Sequence, residues 1–230
     1  GQDTETATKD TGVPTTSITG PSAGATDWYG SNFRLSVTDG TGGPGTETCK
    51  YKTDSKSGTW TETRGYSSGS RTCNATGTSR PLITIGGTSD CKNEGTGTCK
   101  VTTKITDPAN NSSTNSRTFN IDWSAPTVPA PADDGQYSTG TSLTFTASPS
   151  DGGSDIDYCR GEVLENGAVK ATEISGTYSD GTFTFTHNGT HGKTYKARYY
   201  CADEATNTSG MSSLSNGILV DTSLPTTAGP

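Results

Sequence analysis

Apolar side chains are scarce in this sequence. Leu, Ile, Val and Phe supply 27 of its 230 residues, about 12%, below the roughly 20% under which a chain is expected to stay disordered. Methionine occurs once and histidine twice. No apolar run approaches the roughly 18 residues that a membrane-spanning helix requires, so no membrane span is expected. The opening residues do not read as a secretory leader, so secretion would imply that one has been removed. No cluster of Lys and Arg could neutralise a run of phosphates, which argues against nucleic acid as a partner. Zinc is disfavoured because no Cys-x-x-Cys pair occurs and histidines are so few. No Gly-x-Ser-x-Gly elbow accompanies the abundant serines, so nothing marks a nucleophile, and no enzyme activity is expected.

What the chain does contain points elsewhere. Residues 1–124 carry 12 Lys and Arg against 12 Asp and Glu, whereas residues 125–230 carry 5 against 12 and hold the entire net charge of −7. An acidic half favours solubility and weak cation binding. Six cysteines in so weakly apolar a chain suggest disulfides and an oxidising compartment. The apolar residues alternate with Thr and Ser, the period of two that marks strands. Phe33, Leu35 and Val37 alternate in NFRLSVTDG, and Cys99, Val101, Thr103 and Ile105 follow the same rule. Phe119 and Ile121 end the first half. In the second half the series are Leu143, Phe145 and Ala147, then Cys159 and Val163, then Phe183 and Phe185. Tyr195, Ala197, Tyr199 and Cys201 follow, and last Ile218 and Val220. No stretch shows a capped helical period. The fold class is therefore all-β, as two antiparallel β-sandwiches joined by short Pro-containing linkers.

The chain also repeats itself. DTGVPTT from Asp10, DWSAPTV from Asp122 and DTSLPTT from Asp221 divide it into units the size of one sandwich. The boundaries drawn on this basis are an N-terminal arm at 1–13, a first domain at 14–124, a second at 125–221, and a C-terminal linker or donated strand at 222–230. Both units end alike: a strand, an Asp turn containing Asn and Ser, another strand, then Asp and the Pro phrase. In this alignment Cys99 matches Tyr195 and Ile105 matches Cys201, so the architecture repeats while the cross-links move.

Those residues carry a resemblance. Cys49-Lys50-Tyr51 followed by Gly58-Thr59-Trp60, the turns ITDPANNSS and CADEATNTSG, and the closings IDWSAPT and LVDTSLPT resemble the immunoglobulin-like and fibronectin-III-like tandem repeats of bacterial and archaeal cell-surface proteins. The resemblance implies fold and an extracellular, cell-surface location rather than an activity. The family's usual Ala-Gly-Asn is here Ala109-Asn110-Asn111 and Ala205-Thr206-Asn207. In such a sandwich the strands of Cys159 and Cys201 lie side by side, which suggests a disulfide between them. The four cysteines of the first unit allow three pairings. Proximity along the chain favours Cys91 with Cys99, across CKNEGTGTC, and Cys49 with Cys73.

Several residues are candidates for function, each beside a plainer reading. Asp133 and Asp134 in DDG, Asp151 and Asp155 in DGGSDID, and Asp122 at the domain end could hold calcium, though none fits the twelve-residue EF-hand loop. Their alternative is to accept hydrogen bonds from their own turns. No other cofactor is implied. His187 and His191 read as exposed turn residues. Trp28 and Trp60 could contact a cell-surface glycan, or simply pack. Sequons at Asn74, Asn110, Asn111, Asn188 and Asn207 permit glycosylation. The function expected is structural: a building block of a filament, stalk or adhesin. Its partners would be further repeats or copies of itself. In the second case Leu224, Thr226 and Ala228 would add a strand to a neighbour's sheet. The N-terminal residues lack the apolar alternation of a preceding last strand, which favours a free arm and head-to-tail association. A glycan-binding module of a secreted enzyme or adhesin tip is the alternative.

Overall fold

The computed structural model describes residues 10–20, 27–40, 48–57, 59–62 and 80–226. These residues contain strands and no α-helix. The chain forms two compact units, Gly1–Trp123 and Ser124–Pro230.

In the first unit the strands are β1 (Thr15–Thr19), β2 (Trp28–Tyr29), β3 (Phe33–Arg34), β4 (Ser36–Gly40), β5 (Thr48–Ser57), β6 (Thr59–Glu62), β7 (Leu82–Ile83), β8 (Gly95–Thr106) and β9 (Ser112–Ile121). One sheet runs β2-β9-β8-β5-β6, and two shorter pairings, β1-β4 and β3-β7, supply the rest. Alternation buries Cys99, Val101, Thr103 and Ile105 along one face of β8. Cys99, Val101 and Ile105 pack with Ile121, Leu35, Ile83 and the Tyr29–Phe33–Phe119 aromatic group into one core. The single strand expected over Phe33 to Val37 is in fact two. Phe33–Arg34 pairs with β7 and Ser36–Gly40 with β1. The alternation of side chains survives this break because Phe33, Leu35 and Val37 are all buried, so the pattern alone cannot reveal it.

The second unit contains β10 (Ala132–Asp133), β11 (Tyr137–Ser138), β12 (Ser142–Ala147), β13 (Ile156–Glu165), β14 (Ala168–Ser175), β15 (Thr177–Ser179), β16 (Thr182–Asn188), β17 (Thr194–Asp203) and β18 (Ile218–Val220). They form sheets of order β10-β12-β16-β15 and β11-β18-β17-β13-β14. Leu143, Phe145, Phe183 and Phe185 on the first sheet meet Val163, Tyr195, Tyr199 and Ile218 on the second. At Gly161 the two sheets approach so closely that a Cβ would lie 2.5 Å from the Phe185 ring. Strand β14 carries no sequence pattern because nearly every residue on it is exposed. It is the outer strand of its sheet, built by a hairpin with Asn166 and Gly167 at positive φ.

The units repeat in register. Cys49 pairs across to Ile105 on β5 and β8, and Cys159 pairs across to Cys201 on β13 and β17. The short β2 runs parallel to the end of β9, as β11 does to β18. They part company after the Asp turn. In the first unit β9 follows at once as a ten-residue strand along β8. In the second, the corresponding residues 208–216 form no strand, and only Ile218–Val220 does.

Candidate functional site

The feature that both units build alike is the turn that follows β8 in the first and β17 in the second. In the first, the Asp107 amide donates to the Asn111 carbonyl (3.0 Å), and the Asn110 amide to the Asp107 carbonyl (3.1 Å). The Asp107 carboxylate accepts the Asn111 amide (2.8 Å) and side-chain N–H (2.9 Å). Asp203 and Asn207 repeat the arrangement, with the carboxylate bonds at 2.8 and 2.9 Å. Both aspartates are buried. A buried carboxylate is tolerable because charge-assisted bonds replace its water. The third turn residue takes the left-handed conformation, Asn110 at φ 66° and Thr206 at φ 70°. Glycine is the residue best suited there. The Asp-x-x-x-Asn spacing recurs 96 residues on and is the sequence signal for these aspartates.

Three of the acidic candidates accept backbone amides. Asp133 accepts the amide of Gly217 at 2.9 Å, Asp134 that of Thr144 at 2.9 Å and Asp151 that of Gly153 at 3.0 Å. Asp155 is exposed, and its carbonyl accepts the Glu204 amide. Asp122 follows β9, is buried, and donates its amide to the Tyr29 carbonyl. Asp90, a buried residue with no sequence signal, accepts from the Thr84 amide and hydroxyl at 3.0 and 2.8 Å and anchors the turn before Cys91.

His187 and His191 do not converge on a common group. His191 Nδ1 accepts the Thr222 amide at 3.0 Å. His187 stacks obliquely on Tyr195, and burial, with Lys170 adding to it, holds its imidazole below the ordinary range. The Tyr195 hydroxyl donates to Glu165 at 2.7 Å and accepts the Thr190 amide at 3.0 Å. That bond lowers the Glu165 carboxyl. The neighbouring Tyr199 hydroxyl is buried, has no hydrogen-bond partner among the described residues, and is pushed up to about 12 by that burial.

Of the sequons, Asn111 and Asn207 spend their side-chain N–H groups inside the Asp turns. Asn110 and Asn188 are exposed. Trp28 is half-buried on β2, and Trp60 lies on β6. The Trp60 side chain, Cys73, Asn74 and Ala228 lie outside the described residues. Disulfides join Cys91 to Cys99 and Cys159 to Cys201, and Cys49 is disulfide-bonded. Leu224 is 88% exposed and Thr226 is exposed, neither in a strand.

No family model and no curated protein matches the chain. Solved structures do. Domains A168 to A170 of titin align over 90% of this chain and 66% of that one, at 16% identity and a TM-score of 0.49. Three N-terminal domains of the highly immunogenic outer capsid protein (Hoc) of bacteriophage RB49 align over 93% and 71%, at 13% identity and a TM-score of 0.42. Murine CEACAM1b aligns over 89% and 99%, at 16% identity and a TM-score of 0.34. Each unit is all-β among the described residues, its sheets packed around a core of its own. The chain spans about two thirds of the titin segment's length. Disulfides of this kind form and persist in an oxidising compartment. No helix among the described residues is long and apolar enough to cross a membrane.

Proposed function

We propose that this chain is a non-catalytic building block of a bacterial or archaeal cell-surface filament, stalk or adhesin, joined to copies of itself or to further repeats. The observation that carries the reading is repetition. Two sandwiches use the same turn, the same register and the same closing Asp-Pro phrase, which is how arrays of similar modules are made. Cross-links raise resistance to unfolding outside the cell. Asp133, Asp134 and Asp151 each accept a backbone amide, a structural use.

Electron microscopy of material isolated from the native surface tests the proposal, with filaments or stalks containing this chain as the expected result. A chain recovered only as a dispersed monomer would overturn it. Glycan binding is the competing reading, favoured by the half-buried Trp28 beside β9. It requires glycan-array binding that disappears in Trp28→Ala; on the structural reading no glycan is bound.

A further inference from the structure

Strand β17 is flanked in two different ways. Along one side it pairs continuously with β13. Along the other, only Thr194 and Tyr195 meet a strand, β18. The rest of that edge is covered by residues 208–216. Within them Ser209, Ser212 and Ser215 recur every third residue, while the residues they meet, Cys201, Tyr199 and Ala197, recur every second. Each serine amide donates to the facing carbonyl, at 2.9, 2.8 and 2.8 Å. Each serine hydroxyl accepts from the amide of that same residue, at 2.9, 3.1 and 3.1 Å. The hydroxyl thus stands where a strand would offer its own carbonyl. Three residues against two cannot keep a backbone ladder, and the serine side chains make up the mismatch.

This strap is held by hydrogen bonds without apolar anchorage. Met211 and Leu214 are 43% and 39% exposed, whereas Ser212 and Ser215 are buried. Water replaces such bonds when the strap lifts, so it belongs to the least stable part of the unit. Its leading end is the Asp203–Asn207 turn, where Thr206 sits at φ 70°. A β-branched residue is strained in that region. The first unit has neither weakness, since β9 is a full ladder and Asn110 is a residue type that accepts positive φ.

We propose that residues 208–226 exchange between two copies of this chain, so that the strap and β18 of one copy lie along β17 of the next. The occupant fits because it is the same segment on the same edge. Ile218 and Val220, fully buried on β18, leave one core and enter an identical one. Straightening the turn releases Thr206. This rests on the self-association proposed above and names the segment that carries it.

The test mixes unlabelled and isotope-labelled full-length chain at millimolar concentration, below the unfolding temperature, followed by native mass spectrometry and amide hydrogen exchange. Mixed-label oligomers are expected. Thr206→Gly should lower their fraction about tenfold, the factor corresponding to relief of one left-handed β-branched residue. The amides of Ala197, Tyr199 and Cys201 should exchange at least roughly tenfold faster than those of Arg198 and Tyr200, which face β13. Mixed oligomers with equal protection on both sides of β17, or with no effect of Thr206→Gly, would overturn the exchange and leave self-association standing. A chain that stays monomeric throughout would overturn both.

Discussion

Replacing Tyr199 by Phe should stabilise the second unit. The Tyr199 ring is fully buried and packs on Phe183 at 5.6 Å, and Phe keeps that packing. What it removes is a hydroxyl with no partner among the described residues. Leaving such a group dry costs about 1–3 kcal/mol, against which the lost volume of one oxygen is a small term. The net expectation at pH 7 is a gain of about 1 kcal/mol, read as a rise of roughly 0.5 M in the urea midpoint. The alkaline limb provides a second measure. Burial raises the hydroxyl from 10.0 to about 12, so above pH 10 the unfolded chain ionises first and binds fewer protons than the folded one. Stability from this group is complete below pH 10 and is lost as pH rises towards 12. The advantage of the Phe variant should therefore widen across this window, by roughly 2 kcal/mol. Urea titrations of both proteins at pH 7, 10 and 11.5 decide it. A Phe variant that is less stable at pH 7 and parallel to the parent above pH 10 would refute the reasoning, because the hydroxyl would then be hydrogen-bonded.

Thr206→Gly should raise stability by about 1 kcal/mol, and Asn110→Gly by less, since only the first relieves a β-branched residue at positive φ; thermal unfolding checks both. Removing the Cys159–Cys201 disulfide by a double Ala substitution frees a loop of sequence separation 42 and should cost about 4 kcal/mol in the chain-entropy account, visible as a large fall in the denaturant midpoint of the second unit. Ser212→Ala leaves the buried Tyr199 amide without its acceptor and should cost about 1–3 kcal/mol, with faster hydrogen exchange at Tyr199 as the local readout.

Much of the architecture was legible because strand alternation is a local property. Residues 99–105 and 195–201 bury every second side chain, as their pattern requires. Strand β14 lacks a signal for the converse reason: six of its eight residues are exposed and leave no alternation to find. The candidate site was legible in part. The matching ends of the two units showed that an Asp turn containing Asn and Ser recurs, but that its carboxylates are buried and turned onto the Asn side chains depends on the packing around them. Asp90 had no pattern at all, because its partners at Thr84 and Thr53 are brought to it by chain folding.

The sequence by itself determined the all-β class and the repeat. With 27 large aliphatic and Phe residues in 230, the burial they allow is that of thin alternating sandwiches, and the Asp-Pro phrase punctuates them. Only the tertiary structure decided what lies beside each strand. SSTNSRTFNI and TSGMSSLSNG occupy the same place after the same turn. One became a strand and the other a strap of serines. The physical reason is that edge pairing requires matched spacing with a distant partner. A serine every third residue meets a strand's every second amide only once β17 is in place to receive it.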